Sequence, residues 1–145
     1  MIERNEYLSK LISVKENGFP KIITGVRRCG KSYLLKEIYR NYLLNNGVLD
    51  SQIIIIELDD IRNVKYRNPY ELDKYIREKC SKNIMNYIFI DEIQLVTPII
   101  NPLYTNGKYV LANKNDKDVI TFVEVVLGLS REKNIDIYAT GKKKK

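Results

Sequence analysis

Apolar residues recur along this chain in two rhythms, a helical one and a β-branched, nearly continuous one, and the two alternate. Over residues 3–16, Tyr7, Leu8, Leu11, Ile12 and Val14 fall at helical spacing before Asn17-Gly18-Phe19-Pro20 ends the pattern. This predicts an amphipathic leader helix within residues 1–18. Ile22-Ile23-Thr24 predicts a first buried strand, and residues 32–45 a helix with Leu34, Leu35, Ile38, Tyr42 and Leu43 on one side, closed by Asn45-Asn46-Gly47. Residues 52–58 are apolar and β-branched in their middle, which suits a strand covered on both faces, as in a parallel sheet. Asn68-Pro69 is a helix opening, and residues 70–82 follow with Leu72, Tyr75, Ile76 and Cys80 as their apolar side. Tyr87-Ile88-Phe89-Ile90 leads into Asp91-Glu92 as a third strand, and residues 135–140 read as a fourth. Between these, residues 94–118 are loop-like, with a short hairpin arm expected across Asn106-Gly107 into residues 107–111. Residues 119–133 are expected to form a helix that packs Phe122, Val123, Val126, Leu127 and Leu129 on the sheet.

No internal repeat or linker interrupts this order. Strands alternating with helices predict right-handed crossovers and a parallel sheet with helices on both faces. At 145 residues the chain has the length of one domain and enough surface to bury a core.

Charge and composition narrow the chemistry. The net charge is +7, but the basic tail Lys142 to Lys145 supplies four units of it, leaving +3. The tail reads first as a solvated terminus, and second as a contact for nucleic acid or an anionic membrane surface. There is no histidine, and Cys29 and Cys80 are the only cysteines. Ser-His and Cys-His nucleophilic catalysis are thereby excluded, as is a zinc cluster. Two lone cysteines suit a reducing compartment. The N-terminus lacks the apolar core of a signal peptide and no run approaches the ~18 apolar residues of a membrane span, so a cytoplasmic protein with no membrane association is expected.

Two motifs carry chemistry. Gly25-Val26-Arg27-Arg28-Cys29-Gly30-Lys31-Ser32 fits G-x-x-x-x-G-K-[ST], between a strand and a helix start, the context in which this spacing binds polyphosphate. Glycines allow a tight turn whose N–H groups point inward at the positive end of a helix. Lys31 adds a charge for the β- and γ-phosphates, the Ser32 hydroxyl suits Mg²⁺, and Tyr33 follows in the first helical turn. The second motif is the strand ending in Asp91-Glu92. There Asp91 is expected near the Mg²⁺ and Glu92 beside the attacking water. Other readings stay open. Arg27 or Arg28 faces the phosphates or points outward, Cys29 fills the loop or is redox-sensitive, and Gln94 polarises water or is a surface residue. Asp59 and Asp60 read first as solvated loop acids, and Tyr39, Tyr42, Tyr70 and Tyr75 as core or boundary residues.

With Gly-Val-Arg-Arg-x-Gly-Lys-Ser at residues 25–32 and Ile-Asp-Glu-Ile-Gln at 90–94, the chain resembles prokaryotic AAA-superfamily P-loop ATPases, and residues 120–129 and 135–141 share the likeness. The resemblance implies a three-layer α/β/α P-loop fold with a mainly parallel sheet, ATP and Mg²⁺ as cofactors, and hydrolysis to ADP and phosphate. It also implies a continuation, since such ATPases carry a fifth strand, a helical lid, an arginine finger and a separate C-terminal domain. Where they place Ser-Asn-Ser after Thr-Gly, this sequence has Thr140-Gly141 and then lysines, with Lys142 at the position of the γ-phosphate sensor. The expectation is therefore a single truncated ATPase domain over residues 1–145 with about four strands. It would bind ATP, hydrolyse it weakly or not at all, and expose a sheet edge for a second copy or a partner protein. The alternatives are a nucleic-acid-binding or interaction protein whose loop merely holds an anion, and a non-functional gene fragment.

Overall fold

A computed structural model describes residues 2–24 and 30–142, with side chains from Glu6 onward. Helix α1 (Ile2–Ser13) leads into β1 (Lys21–Ile23). Beyond residues 25–29, α2 (Lys31–Tyr33), a π-helical stretch (Leu34–Tyr39) and α3 (Arg40–Asn45) run on as one helix. Strand β2 (Ile53–Glu57), helix α4 (Pro69–Lys79), strand β3 (Asn86–Asp91), the short strands β4 (Ile99–Ile100) and β5 (Val119–Ile120), helix α5 (Phe122–Ser130) and strand β6 (Ile135–Thr140) complete the order. The main sheet has the order β1-β6-β3-β2 and all its pairings are parallel, as the alternation of elements predicts.

Because side chains alternate across a strand, each inner strand supplies both faces of the sheet. Ile88 and Ile90 of β3 and Ile137 and Ala139 of β6 pack with Leu72 and Ile76 of α4 and Val125, Val126 and Leu129 of α5. Tyr87, Phe89 and Tyr138 face the other way, onto Leu11, Leu34, Leu35, Tyr39 and Leu43. Every residue of β3 and β6 is buried. Strand β2 is covered on both faces but lies at an edge, so only Ile56 of its four isoleucines is fully buried. Leu34 and Tyr39 are both buried although five residues apart, which i→i+5 bonding in the π stretch allows.

Asn68 caps α4 as expected, accepting from the N–H of Tyr70 at 2.9 Å, and Pro69 occupies the first turn. The helix stops at Lys79, three residues short of the predicted end. The buried Asn86 accounts for this: its side chain takes the N–H of Ser81 and reaches the carbonyls of Ser81, Ile84 and Asn134, pinning the turn into β3.

Two predicted elements are corrected. Val119 and Ile120 are not helical but pair antiparallel with Ile99 and Ile100, and α5 begins only at Phe122. Thr121 is its N-cap, with Glu124 closing a capping box at 2.6 Å, a T-x-x-E signal present in the sequence. Val125, Val126 and Leu129 are its buried residues, whereas Val123 and Leu127 are exposed. The turn at Asn106-Gly107 has positive φ at both residues, as a tight turn of this type needs, but the returning segment does not close a separate arm. It lies along β4 instead, with Leu111 bridged to Ile99 and the N–H of Ile100 donating to the Val110 carbonyl at 2.8 Å. Among the tyrosines read as core or boundary, Tyr39 is fully buried and Tyr70 is 43% exposed, its ring near that of Tyr109.

Candidate functional site

The carboxyl ends of β1, β6 and β3 meet the start of α2. Gly30 precedes α2 with φ 67° and ψ 37°, a left-handed conformation that glycine adopts without strain, and its carbonyl accepts the N–H of Leu34 at 2.8 Å. Lys31 Nζ donates to the Gly141 carbonyl at 2.6 Å, just beyond β6. The N–H of Gly141 in turn donates to the Ile23 carbonyl at 3.1 Å, joining the ends of β6 and β1. A Cβ at Gly141 would lie 2.9 Å from Ile93 Cγ2, so a side chain there would have to displace Ile93.

Asp91, the last residue of β3, is 7% exposed and fully engaged. Its Oδ1 accepts the Thr140 hydroxyl, and its Oδ2 accepts both Ser32 Oγ at 2.9 Å and Lys36 Nζ at 3.3 Å. Lys36 also donates to Glu57 Oε2 at 2.9 Å. Burial by itself lowers the Lys36 pKa, but the bond to Glu57 and the Asp91 charge outweigh it and hold the ammonium above its ordinary value. Asp59 adds a third acid: one oxygen from each of Glu57, Asp59 and Asp91 lies within 4.8 Å of the others.

Glu92 follows the strand with φ 61° and ψ 51°, a left-handed conformation that costs a non-glycine residue about 1–2 kcal/mol. Its N–H donates to Thr140 Oγ1 at 3.1 Å, so one threonine fixes both acids. Gln94 Nε2 donates to Glu92 Oε1 at 2.5 Å, and Gln94 Oε1 accepts the N–H of Lys142 at 3.2 Å.

Of the predicted site residues, Gly30, Lys31, Ser32, Asp91 and Glu92 gather at this one edge of the sheet, and Tyr33 stands beside them, 47% exposed. Gly25, Val26, Arg27, Arg28 and Cys29 lie outside the described residues, as do Lys143, Lys144 and Lys145. Sequence reasoning missed Lys36, Thr140 and Glu57. Ser32 and Lys36 are four residues apart on a helix, which hints at a shared face. Glu57 and Asp91 share a register position on paired strands, which no linear pattern reveals. The two loop acids divide. Asp60 caps the helix Ile61–Arg67, and Arg62 holds its carboxyl down at about 2, whereas Asp59, although exposed, joins the site's acids. Cys80 is half-buried, and burial raises its thiol pKa.

Among the described residues no helix is long and apolar enough to cross a membrane. Similarity to known proteins agrees with the architecture. An uncharacterized protein of Haemophilus influenzae is 38% identical over 97 residues, covering 66% of this chain and 24% of that protein. A chain in the structure of Drosophila ORC bound to AT-rich DNA and Cdc6 superposes with a TM-score of 0.51 at 15% identity, covering 99% of this chain and 47% of that one. The chain thus spans about a quarter of the curated relative and about half of the structural one. That structural likeness speaks to the fold alone, an α/β arrangement with a parallel sheet. The profile of the AAA domain matches residues 17–145, nearly the whole sequence, and the chain accordingly belongs to that family, as an AAA-type ATPase domain.

Proposed function

We propose that this domain binds ATP together with Mg²⁺ at the loop preceding α2, and that it turns ATP over slowly. The observation that carries the reading is the 2.9 Å contact between Ser32 Oγ and Asp91 Oδ2, with Lys31 adjacent. A hydroxyl from a helix start and a carboxylate from a strand end are hard oxygen donors, the set Mg²⁺ prefers. Ser32 and Asp91 would hold the ion, and bound Mg²⁺ would supply charge that neutralises phosphate oxygens. Lys31, now on the Gly141 carbonyl, has a flexible stem that lets its ammonium turn to the β- and γ-phosphates. The residues of the loop 25–30 would offer their N–H groups to the same phosphates.

Glu92 is the proposed base that orients water. Its carboxylate is engaged by Gln94, which supports slow rather than rapid turnover. The position after Gly141 carries Lys142, whose side chain is a point charge and not an amide sensor. Strand β1 has only β6 as a neighbour among the described residues, and Ile22 on it is 40% exposed, which favours a second copy or a partner protein along that edge.

Isothermal titration with ATP and Mg²⁺ tests the reading. The expected result is Mg²⁺-dependent binding that Lys31→Ala weakens at least tenfold, about the worth of one charge-assisted hydrogen bond. Binding indifferent to that substitution overturns the site. Turnover at about 10 s⁻¹, the rate of an average enzyme, overturns slow hydrolysis.

A further inference from the structure

Lys36 is the cation of this site that neither motif contains. Its ammonium lies between two acids, 2.9 Å from Glu57 Oε2 and 3.3 Å from Asp91 Oδ2. Asp91 Oδ2 already receives Ser32, so its two lone pairs are both in use. A divalent cation drawn to this oxygen, directly or through water, meets the ammonium there.

We propose that Lys36 is the resident counter-ion of the Asp91–Glu57 pair and competes with Mg²⁺ for Asp91, so that it sets the Mg²⁺ concentration at which nucleotide is held. This rests on the ATP and Mg²⁺ reading above. Three features support it. Glu57, Asp59 and Asp91 bring three negative charges together, and Lys36 is the cation bonded to two of them. The bond to Glu57 is the shorter, so the ammonium can release Asp91 and keep an anchor on β2. Asp91 does not depend on Lys36 for its orientation, because Thr140 and Ser32 hold it from two other elements. Removing the charge therefore frees an acceptor without unseating the carboxylate.

The test is the Mg²⁺ dependence of binding a fluorescent, non-hydrolysable ATP analogue to the 145-residue chain. Lys36→Met and Lys36→Gln remove the charge in two ways, and Lys36→Arg keeps it. Since Lys36 is partly exposed, the effect is modest: the Mg²⁺ concentration giving half-maximal binding falls by about three- to tenfold in the neutral variants. In the arginine variant it stays within about twofold of the parent. Binding that remains Mg²⁺-dependent but needs the same or more Mg²⁺ in both neutral variants overturns the role of Lys36 and leaves the ATP site standing. A parent chain that binds the analogue with no Mg²⁺ dependence overturns both.

Discussion

Thr140 shows how much one side chain arranges. Its hydroxyl donates to Asp91 Oδ1 and accepts the N–H of Glu92, so the carboxylate that ends β3 and the acid just beyond it are fixed relative to β6. Glu92 is held at its other end by Gln94, and Gln94 by the backbone of Lys142. A carboxylate tied to an amide is a poor base until it is released. Gln94→Ala should therefore raise the rate of phosphate release, by about three- to tenfold if one ordinary hydrogen bond is lost. A fall in single-turnover rate would instead assign Gln94 to holding water. Lys31, Ser32, Asp91 and Glu92 were legible in the sequence because each belongs to a short motif whose spacing carries a mechanism. Thr140 and Lys36 were not, since their partners are 49 and 55 residues away.

At the scale of elements, local signals and tertiary pairing compete. The capping box of Thr121 and Glu124 sets the start of α5, and Val119-Ile120 ahead of it is left to pair with β4. Thr121→Ala should cost about 1 kcal/mol in urea unfolding, with Thr121→Ser close to the parent. The connection between α1 and β1 is anchored differently, by side chains reaching beneath the sheet. Tyr87 donates to Glu16 Oε2 at 2.5 Å, and the N–H of Glu16 donates to Asp136. The Tyr87 bond outweighs desolvation and, helped by Lys15 and Lys21, lowers the Glu16 pKa below its ordinary value near 4.5. A group with a lowered folded pKa stabilises the fold above its unfolded pKa, and that contribution disappears as pH falls through the folded value. Tyr87→Phe should accordingly flatten the loss of thermal stability below pH 4.5, checked by melts of both proteins between neutral pH and pH 3.

The molecule as a whole is a three-layer domain whose two ends have different chemistry. At one end of the sheet lies the candidate site. At the other, the Lys21 ammonium is bonded to Asp136, with side chains only 9% and 2% exposed, and Tyr138 and Tyr39 continue the network into the core. Removing either charge alone would leave the other buried and unpaired. The side of the sheet beyond β1 is different again, because Ile22 is exposed and the groove between α1 and β1 has a volume of about 420 Å³ lined by Leu11, Val14 and Ile23. An open, apolar edge strand pairs with further chains. Ile22→Lys should lower self-association at high protein concentration, measured by light scattering, without shifting the melting temperature by more than about 2–4 °C. Unchanged scattering would show that this edge is not where the chain associates.

What the sequence by itself determined is what depends on neighbours along the chain. The period of apolar residues yields the alternation of strand and helix, Asn68-Pro69 and Thr121 with Glu124 set helix starts, and the spacing of glycine, lysine and serine points to the proposed phosphate site. Only the tertiary structure decided that β2 takes the edge opposite β1, with β6 and β3 inside, because strand order depends on non-local pairing energies that no window of residues contains. The same holds for the site's charges. Glu57 and Asp91 become neighbours through the register of β2 on β3, and Lys36 acquires its two acids only once the helix that begins at Lys31 packs over them.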